Sequence, residues 1–462
     1  MKIELSNLGA LQQAEFELGD MTIICGSNNT GKTYATYATY GFLRFWNEAY
    51  VVPVNMSYIN QLFENSSVKI PLAEFRKDRN VYLKAASEQY SEQLYIVFAG
   101  NEKYFEHSSF SIMLEEPDKC PEVELERNFG TEKKRLFKIS KSKNNDFMEV
   151  SLLLQDEESN LDKNAVKKTI GNAVKDILFG HLFPETFIAS AERTGAAIFR
   201  KELNFARNRL LEEVGQGQEI NPLDLINKVY SDYALPVKHN VDFTRKLEDM
   251  SKTESYIAKK HPELLEHFED ILGGTYKVTN NDELYFIPNA NKSVRLTMDE
   301  SSSAVRSLLD IGFYLKHAAT EGDLLMIDEP ELNLHPQNQR KIARLFACLV
   351  NSGLRVFITT HSDYIIKELN TLIMLNSDEQ YIKKIIEKEN YRKSEIMSPE
   401  QIKVYIAKKA SVKKNGNKRP SQCLTLVPAE ITNQYGIELD SFDDTIIDMN
   451  RIQEEILFGG DD

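Results

Sequence analysis

Only four cysteines occur in 462 residues, at positions 25, 120, 348 and 423. None belongs to a Cys-x-x-Cys pair or to a cysteine–histidine spacing, so the sequence indicates neither a disulfide framework nor a zinc site. Cys25 and Cys348 lie inside apolar segments and read as buried thiols. A reducing cytoplasm fits this usage. Long apolar runs are missing too. No stretch approaches the length of a membrane-spanning helix, and Met1-Lys2-Ile3-Glu4 lacks a signal-peptide pattern. Positive charge is in deficit: 56 Lys and Arg stand against 70 Asp and Glu, a net charge of −14. That balance argues against non-specific duplex DNA binding as the main task. Neither an internal repeat nor a sustained heptad pattern is present, which excludes a long coiled coil. What remains, 42% hydrophobic and 27% charged residues, is the composition of a globular protein long enough for two or three domains.

Against this ordinary background stands Gly26-Ser27-Asn28-Asn29-Thr30-Gly31-Lys32-Thr33, directly after the apolar run Met21–Cys25. This is a G-x-x-x-x-G-K-[ST] phosphate loop in its required place, after a strand and before a helix-compatible stretch. Gly26 and Gly31 let the backbone wrap closely, so that the N–H groups of Asn28, Asn29, Thr30 and their neighbours face phosphate. Lys32 is expected to reach the β and γ oxygens and Thr33 to hold Mg²⁺ through its hydroxyl.

A second apolar run, Leu324–Ile327, ends in Asp328-Glu329-Pro330-Glu331. Ligands bind at the carboxyl ends of strands in open α/β sheets, so Asp328 is placed for the Mg²⁺ shell and Glu329 for polarising the attacking water. A third run, Leu354–Thr360, ends at His361-Ser362, and the apolar spacing of Ile342, Leu345, Phe346 and Leu349 predicts a helix over 336–352 between the two strands. His361 is the candidate sensor of the γ-phosphate. Upstream, Ser301-Ser302-Ser303 precede Val305, Leu308, Leu309, Gly312 and Phe313 at helical spacing. The serines read either as plain N-caps or as an anion site.

Together these segments resemble the ABC-type ATPases of the OLD, RecF and SMC class. Met1–Gly9 and Phe16–Asp20 look like that class's N-terminal hairpin, Ile327–Pro336 like its Walker B and D-loop, and Ser301–Ser303 like its signature. The resemblance implies an α/β ATPase head: a mixed sheet carrying the phosphate loop, and an antiparallel N-terminal lobe. It also implies that two subunits sandwich two ATP molecules, the signature serines of one facing the Walker A of the other. The signature departs from the family in having Ala304 where glycine is common, which points to slow turnover. A Q-loop is expected, with Gln61, Gln89 and Gln93 as candidates. Ala191-Glu192-Arg193-Thr194-Gly195 is another segment that recurs in these ATPases; a structural turn and a phosphate contact fit it equally. Ser301–Leu315 and the tail segments Tyr435–Glu438, Ser441–Asp444 and Asp448–Asn450 are most similar to the ATPase subunit of the PARIS two-gene anti-phage system. That resemblance implies a homo-oligomer, up to a hexamer, holding a toprim-type nuclease subunit that a phage protein releases.

Lys32 and Asp328 lie 296 positions apart, far more than a minimal cassette needs. The expected organisation is an N-terminal ATPase lobe (1–190), a mainly helical insertion (191–272), a C-terminal ATPase lobe (273–370) and an extension (371–462). Within the first lobe, Leu94–Phe98 and Val150–Leu154 read as strands and 164–182 as a helix. The extension separates by charge: 381–420 carries twelve Lys and Arg against four acids, and 429–462 one Arg against ten acids. The basic segment fits either a nucleic-acid or acidic-partner contact or a solvated loop, which leaves direct DNA contact open. No Asp-x-Asp ends an apolar strand there, so any nuclease activity is expected from another chain. The leading expectation is an ATP-driven scaffold controlling a separate effector in phage defence; the alternative is a RecF-like repair ATPase that clamps DNA.

Overall fold

The computed structural model describes residues 1–114, 122–131, 134–153, 162–199, 233–279, 283–412, 420–438 and 444–458. The chain opens with the antiparallel hairpin β1 (Lys2–Leu8) and β2 (Leu11–Glu17), then enters the central strand β3 (Met21–Cys25), the phosphate loop and the helix α1 (Lys32–Glu48). The N-terminal lobe is completed by β4 (Ser67–Pro71), β5 (Ser109–Met113), β6 (Leu125–Thr131), β7 (Lys134–Lys141) and β8 (Phe147–Leu152). They form two antiparallel sheets, ordered β2-β1-β5 and β4-β8-β7-β6. Cys120 and residues 200–232 of the expected helical insertion lie outside the described residues, as do the basic tip 413–419 and tail residues 439–443. The described remainder of the insertion is mainly helical, at Arg193–Ile198, Leu235–Arg245, Leu247–Met250, Tyr256–Lys260 and Pro262–Leu272.

After β9 (Thr186–Ala189) and the hairpin β10 (Gly274–Val278) and β11 (Leu284–Pro288), the chain supplies β12 (Leu324–Asp328), β13 (Arg355–Thr360), β14 (Ile402–Val412) and β15 (Ser421–Pro428). The central sheet runs β15-β14-β3-β13-β12-β9. All its pairings are parallel except β14 with β15. Side chains alternate across it, as a period of two requires. Ile24, Leu324, Met326, Phe357 and Tyr405 enter the core shared with the N-terminal lobe. Ile23, Cys25, Leu325, Ile327, Val356 and Ile358 enter the core on the other face, against the helix Pro336–Asn351. Burial on both faces is why these strands read as unbroken apolar runs.

Two expectations change. Leu94–Val97 is a helical turn, with Leu94 and Val97 buried and Ile96 exposed. A short apolar run does not distinguish strand from helix; here the spacing of Leu94 and Val97 wins, and Val97 packs onto α1 beside Gly41. Residues after 370 also do not form a separate appendage. β14 pairs with β3 from Ile402↔Met21 to Ile406↔Cys25 and then runs on beside the phosphate loop.

The C-terminus of α1 is held by a lysine. Lys175, on the helix Lys163–Phe179, donates to the carbonyls of Trp46 (2.6 Å), Asn47 (3.1 Å) and Tyr50 (2.6 Å). The last carbonyls of a helix have no intrahelical partner, and a cation there also answers the helix dipole. Burial lowers the Lys175 pKa below the ordinary lysine value. Lys175→Met leaves these buried acceptors unpaired, so it is expected to destabilise the chain by roughly 2–4 kcal/mol. Urea denaturation reads this directly, and an unshifted midpoint contradicts the capping role.

Candidate active site

The phosphate loop is formed by backbone that only a few residue types accept. Gly26 has φ 140° and Gly31 φ 94°, and a Cβ at Gly26 would lie 2.7 Å from the Ala407 carbonyl of β14. Glycine at 26 is therefore what allows the loop to lie against β14. Lys32 is buried, and its ammonium donates to the carbonyls of Gly26 (3.0 Å) and Ser27 (2.9 Å). Two of its three donors thus lock it across the loop mouth. Burial lowers its pKa, and the carboxylates of Glu329, Asp328 and Glu331 pull it back up. Asn28, Asn29, Thr30, Gly31, Lys32, Thr33 and Glu329 line an open cavity of about 580 Å³.

Asp328, at the end of β12, is 1% exposed. One carboxylate oxygen takes the Thr359 hydroxyl from the neighbouring strand, and Oδ2 has no hydrogen-bond partner among the described residues. Burial pushes the Asp328 pKa up to about 6, against the lowering effect of the Thr359 and Thr33 hydroxyls. The unpartnered Asp328 oxygen and the Thr33 hydroxyl are oxygen ligands of the kind a hard divalent cation takes. Glu329 turns out of the strand at φ 53°, its N–H donating to the Thr359 carbonyl at 3.1 Å. The conformation is uncommon for a residue with a side chain, and it carries the carboxylate into the cavity.

His361 stands between two acids. Its Nδ1 lies 3.6 Å from Glu329 Oε1 and 3.2 Å from Glu331 Oε1. Glu331 is buried and also accepts from the Thr360 hydroxyl (2.9 Å) and the His361 N–H (2.7 Å). It therefore fixes the histidine at the end of β13. The motif containing Glu331 was visible in the sequence; its role as a holder was not, because it depends on pairing between β12 and β13.

The least expected residue is Arg193. Its side chain is 1% exposed. Its guanidinium donates to four carbonyls: Ser307 (2.8 Å), Ser190 (2.7 Å), Asp328 (2.7 Å) and Glu329 (2.8 Å). One fork thus ties the ends of β9 and β12 to the signature segment. Glu192 beside it accepts from the Tyr37 hydroxyl of α1 at 2.8 Å. Ala191 and Glu192 therefore form a turn into the short helix Arg193–Ile198, whose first residue, Arg193, braces the site.

The signature serines bond within their own segment. Ser301 donates to Thr297 O (2.7 Å), Ser302 caps the Val305 N–H (3.3 Å), and Ser303 accepts from Arg306 (3.1 Å). None of them lines the cavity of its own chain. The helix expected after them is broken into Ser303–Ser307, Leu309–Phe313 and a π turn, Tyr314–Ala318. Gln61, Gln89 and Gln93 are exposed and do not line the cavity.

A family profile described as AAA ATPase domain matches residues 1–366. No curated protein matches the chain. Among solved structures, the SMC head domain from Thermotoga maritima is 10% identical, with 93% of this chain and 98% of that one covered and a TM-score of 0.28. An Smc head domain with an extended coiled coil, bound to the C-terminal domain of ScpA derived from Pyrococcus furiosus, is 11% identical, with 98% of each chain covered and a TM-score of 0.32.

Behind Arg193 lies Asp310, 1% exposed, with neither carboxylate oxygen hydrogen-bonded among the described residues. Burial pushes its pKa up to about 7, with Arg193 opposing. The folded state therefore holds this proton more tightly than the unfolded chain does. Its contribution to stability is present below about pH 4 and declines as pH rises to about 7, in total on the order of 4 kcal/mol. Asp310→Asn is expected to remove that decline. Urea midpoints at pH 5 and pH 8 measure it, and an identical pH dependence in both proteins contradicts the assignment.

Proposed function

The chain belongs to the AAA ATPase domain family, and we propose that it is the ATP-dependent sensor and scaffold subunit of a two-gene anti-phage system of the PARIS type. In this reading it holds a separate toprim-type nuclease until a phage protein triggers release. The observation that carries the nucleotide chemistry is the convergence of Lys32, Asp328, Glu329 and His361 on one edge of the sheet, with Glu329 and Lys32 lining the same cavity.

Lys32 sets its remaining donor against the β and γ oxygens of ATP. Thr33 and Asp328 are the residues that would hold Mg²⁺, which would supply charge neutralisation at those oxygens. Glu329 takes the proton of the attacking water, and its backbone is fixed for this by Thr359 and Arg193. His361, held by Glu331, reports the presence of the γ-phosphate. The signature serines turn away from their own cavity, which supports their use in trans by a second subunit of a homo-oligomer. Ala304 in that signature supports slow turnover. β14 and β15 complete the ATPase sheet itself, which supports placing the nuclease on another chain.

Lys32→Ala is expected to abolish ATP binding, and Glu329→Gln to retain binding while hydrolysing roughly 10²–10⁴-fold more slowly. Normal affinity in the first or undiminished phosphate release in the second overturns the site. The scaffold reading is tested by purifying the tagged chain, expressed from its own gene neighbourhood, and identifying what accompanies it by mass spectrometry. A stoichiometric nuclease is expected. A chain that arrives alone, or with DNA whose removal lowers ATPase activity, replaces this reading with a DNA-clamping ATPase.

A further inference from the structure

The sequence spacing offers no zinc motif, yet the fold assembles one histidine, one cysteine and one glutamate from three distant segments. His267 comes from the helix Pro262–Leu272, Cys348 from the helix Pro336–Asn351 and Glu395 from the short turn Lys393–Glu395. One ligand atom from each lies within 4.8 Å of the other two. We propose that His267, Cys348 and Glu395 form a site for a thiophilic divalent cation, Zn²⁺ in chemical class, separate from the nucleotide cavity.

The surroundings support it. Cys348 is 2% exposed and Glu395 3% exposed, so an ion here is enclosed by protein. The Nδ1 of His267 is buried without a hydrogen-bond partner among the described residues. Of the neighbouring cations, Lys341 is paired with Asp270 (2.6 Å), while Arg344 is paired with Glu368 (2.5 Å) and reaches Glu395 itself at 4.0 Å. Glu395 is oriented by accepting the Arg392 N–H at 2.9 Å. Zinc bonds of about 2.3 Å to sulfur and 2.0–2.2 Å to nitrogen and oxygen place tetrahedral ligands roughly 3.3–3.8 Å apart. The three atoms therefore close on an ion with a contraction of about 1 Å. A water, or the Ser394 hydroxyl 3.7 Å from Cys348 Sγ, supplies a fourth ligand.

Binding is a proton exchange: the Cys348 thiol gives up its proton to solvent as the S–metal bond forms, and the ion's two positive charges are matched by thiolate and carboxylate. Thiolate and imidazole ligands select against Mg²⁺, which takes oxygen donors. The ion would tie the turn that leads into β14 to two helices of the C-terminal lobe, at a distance in sequence that no spacing motif reports.

The test uses the full chain without nucleotide, titrated with Co²⁺ as the probe. One equivalent is expected to give the thiolate-to-cobalt charge-transfer absorption, to be displaced by Zn²⁺, and to raise the melting temperature. Cys348→Ala is expected to lose both the absorption and the thermal shift. An oxygen-only site at Asp328 gives no thiolate band, so the two sites are distinguishable. Absence of the band in the wild-type chain overturns the proposal, and so does its persistence in Cys348→Ala. Should that variant not fold, the wild-type spectrum and that of His267→Gln decide in the same way.

Discussion

A buried guanidinium needs acceptors for its donors, and Arg193 finds four carbonyls at the place where β9, β12 and the signature segment converge. The cost of burying an arginine is offset only if its fork is satisfied. The carbonyls of Asp328 and Glu329 are therefore not free to rotate independently, and the left-handed turn at Glu329 is held from behind. The remaining geometry follows from this. Glu329 projects into the phosphate-loop cavity, Glu331 turns back to grip His361, and Ser307 anchors the segment that carries Ser301–Ser303.

Charge at the site is balanced to be completed by a ligand. Asp328, Glu329 and Glu331 gather near one lysine, whose own proton is held less tightly because it is buried. Asp328 keeps an unpartnered oxygen in a dry position, an arrangement that a divalent cation relieves. The sheet beneath this cluster is buried on both faces, and α1, which carries Lys32 at its start, is capped at its far end by Lys175.

The parts legible in the sequence are those set by local chemistry. The phosphate loop announces itself through Gly26, Gly31, Lys32 and Thr33, and strands buried on both faces through unbroken apolar runs. Asp328, Glu329 and His361 were placed by a simple rule, that polar residues ending such strands face the ligand. What stayed hidden depends on long-range pairing. Arg193 resembles any arginine in a turn until β12 arrives beside it. Glu331 needs β13 as a neighbour. The segment 402–412, mixed in polarity because its outer half carries Lys408 and Lys409, was not read as a central strand, although it lies directly against the phosphate loop. Leu94–Val97 misled because four apolar residues have no period of their own, and the metal-type cluster because its residues are separated by tens of positions.

The brace is the claim on which the account of the site rests, and Arg193→Lys tests it most directly. Lysine keeps the charge but cannot span four carbonyls. ATP affinity and single-turnover hydrolysis should be measured on the same preparation. The account predicts nearly unchanged affinity, because the phosphate loop is intact, with hydrolysis slowed at least tenfold through loss of Glu329 positioning, on the order of 1.4 kcal/mol in the barrier. Wild-type turnover in a folded Arg193→Lys chain would contradict it.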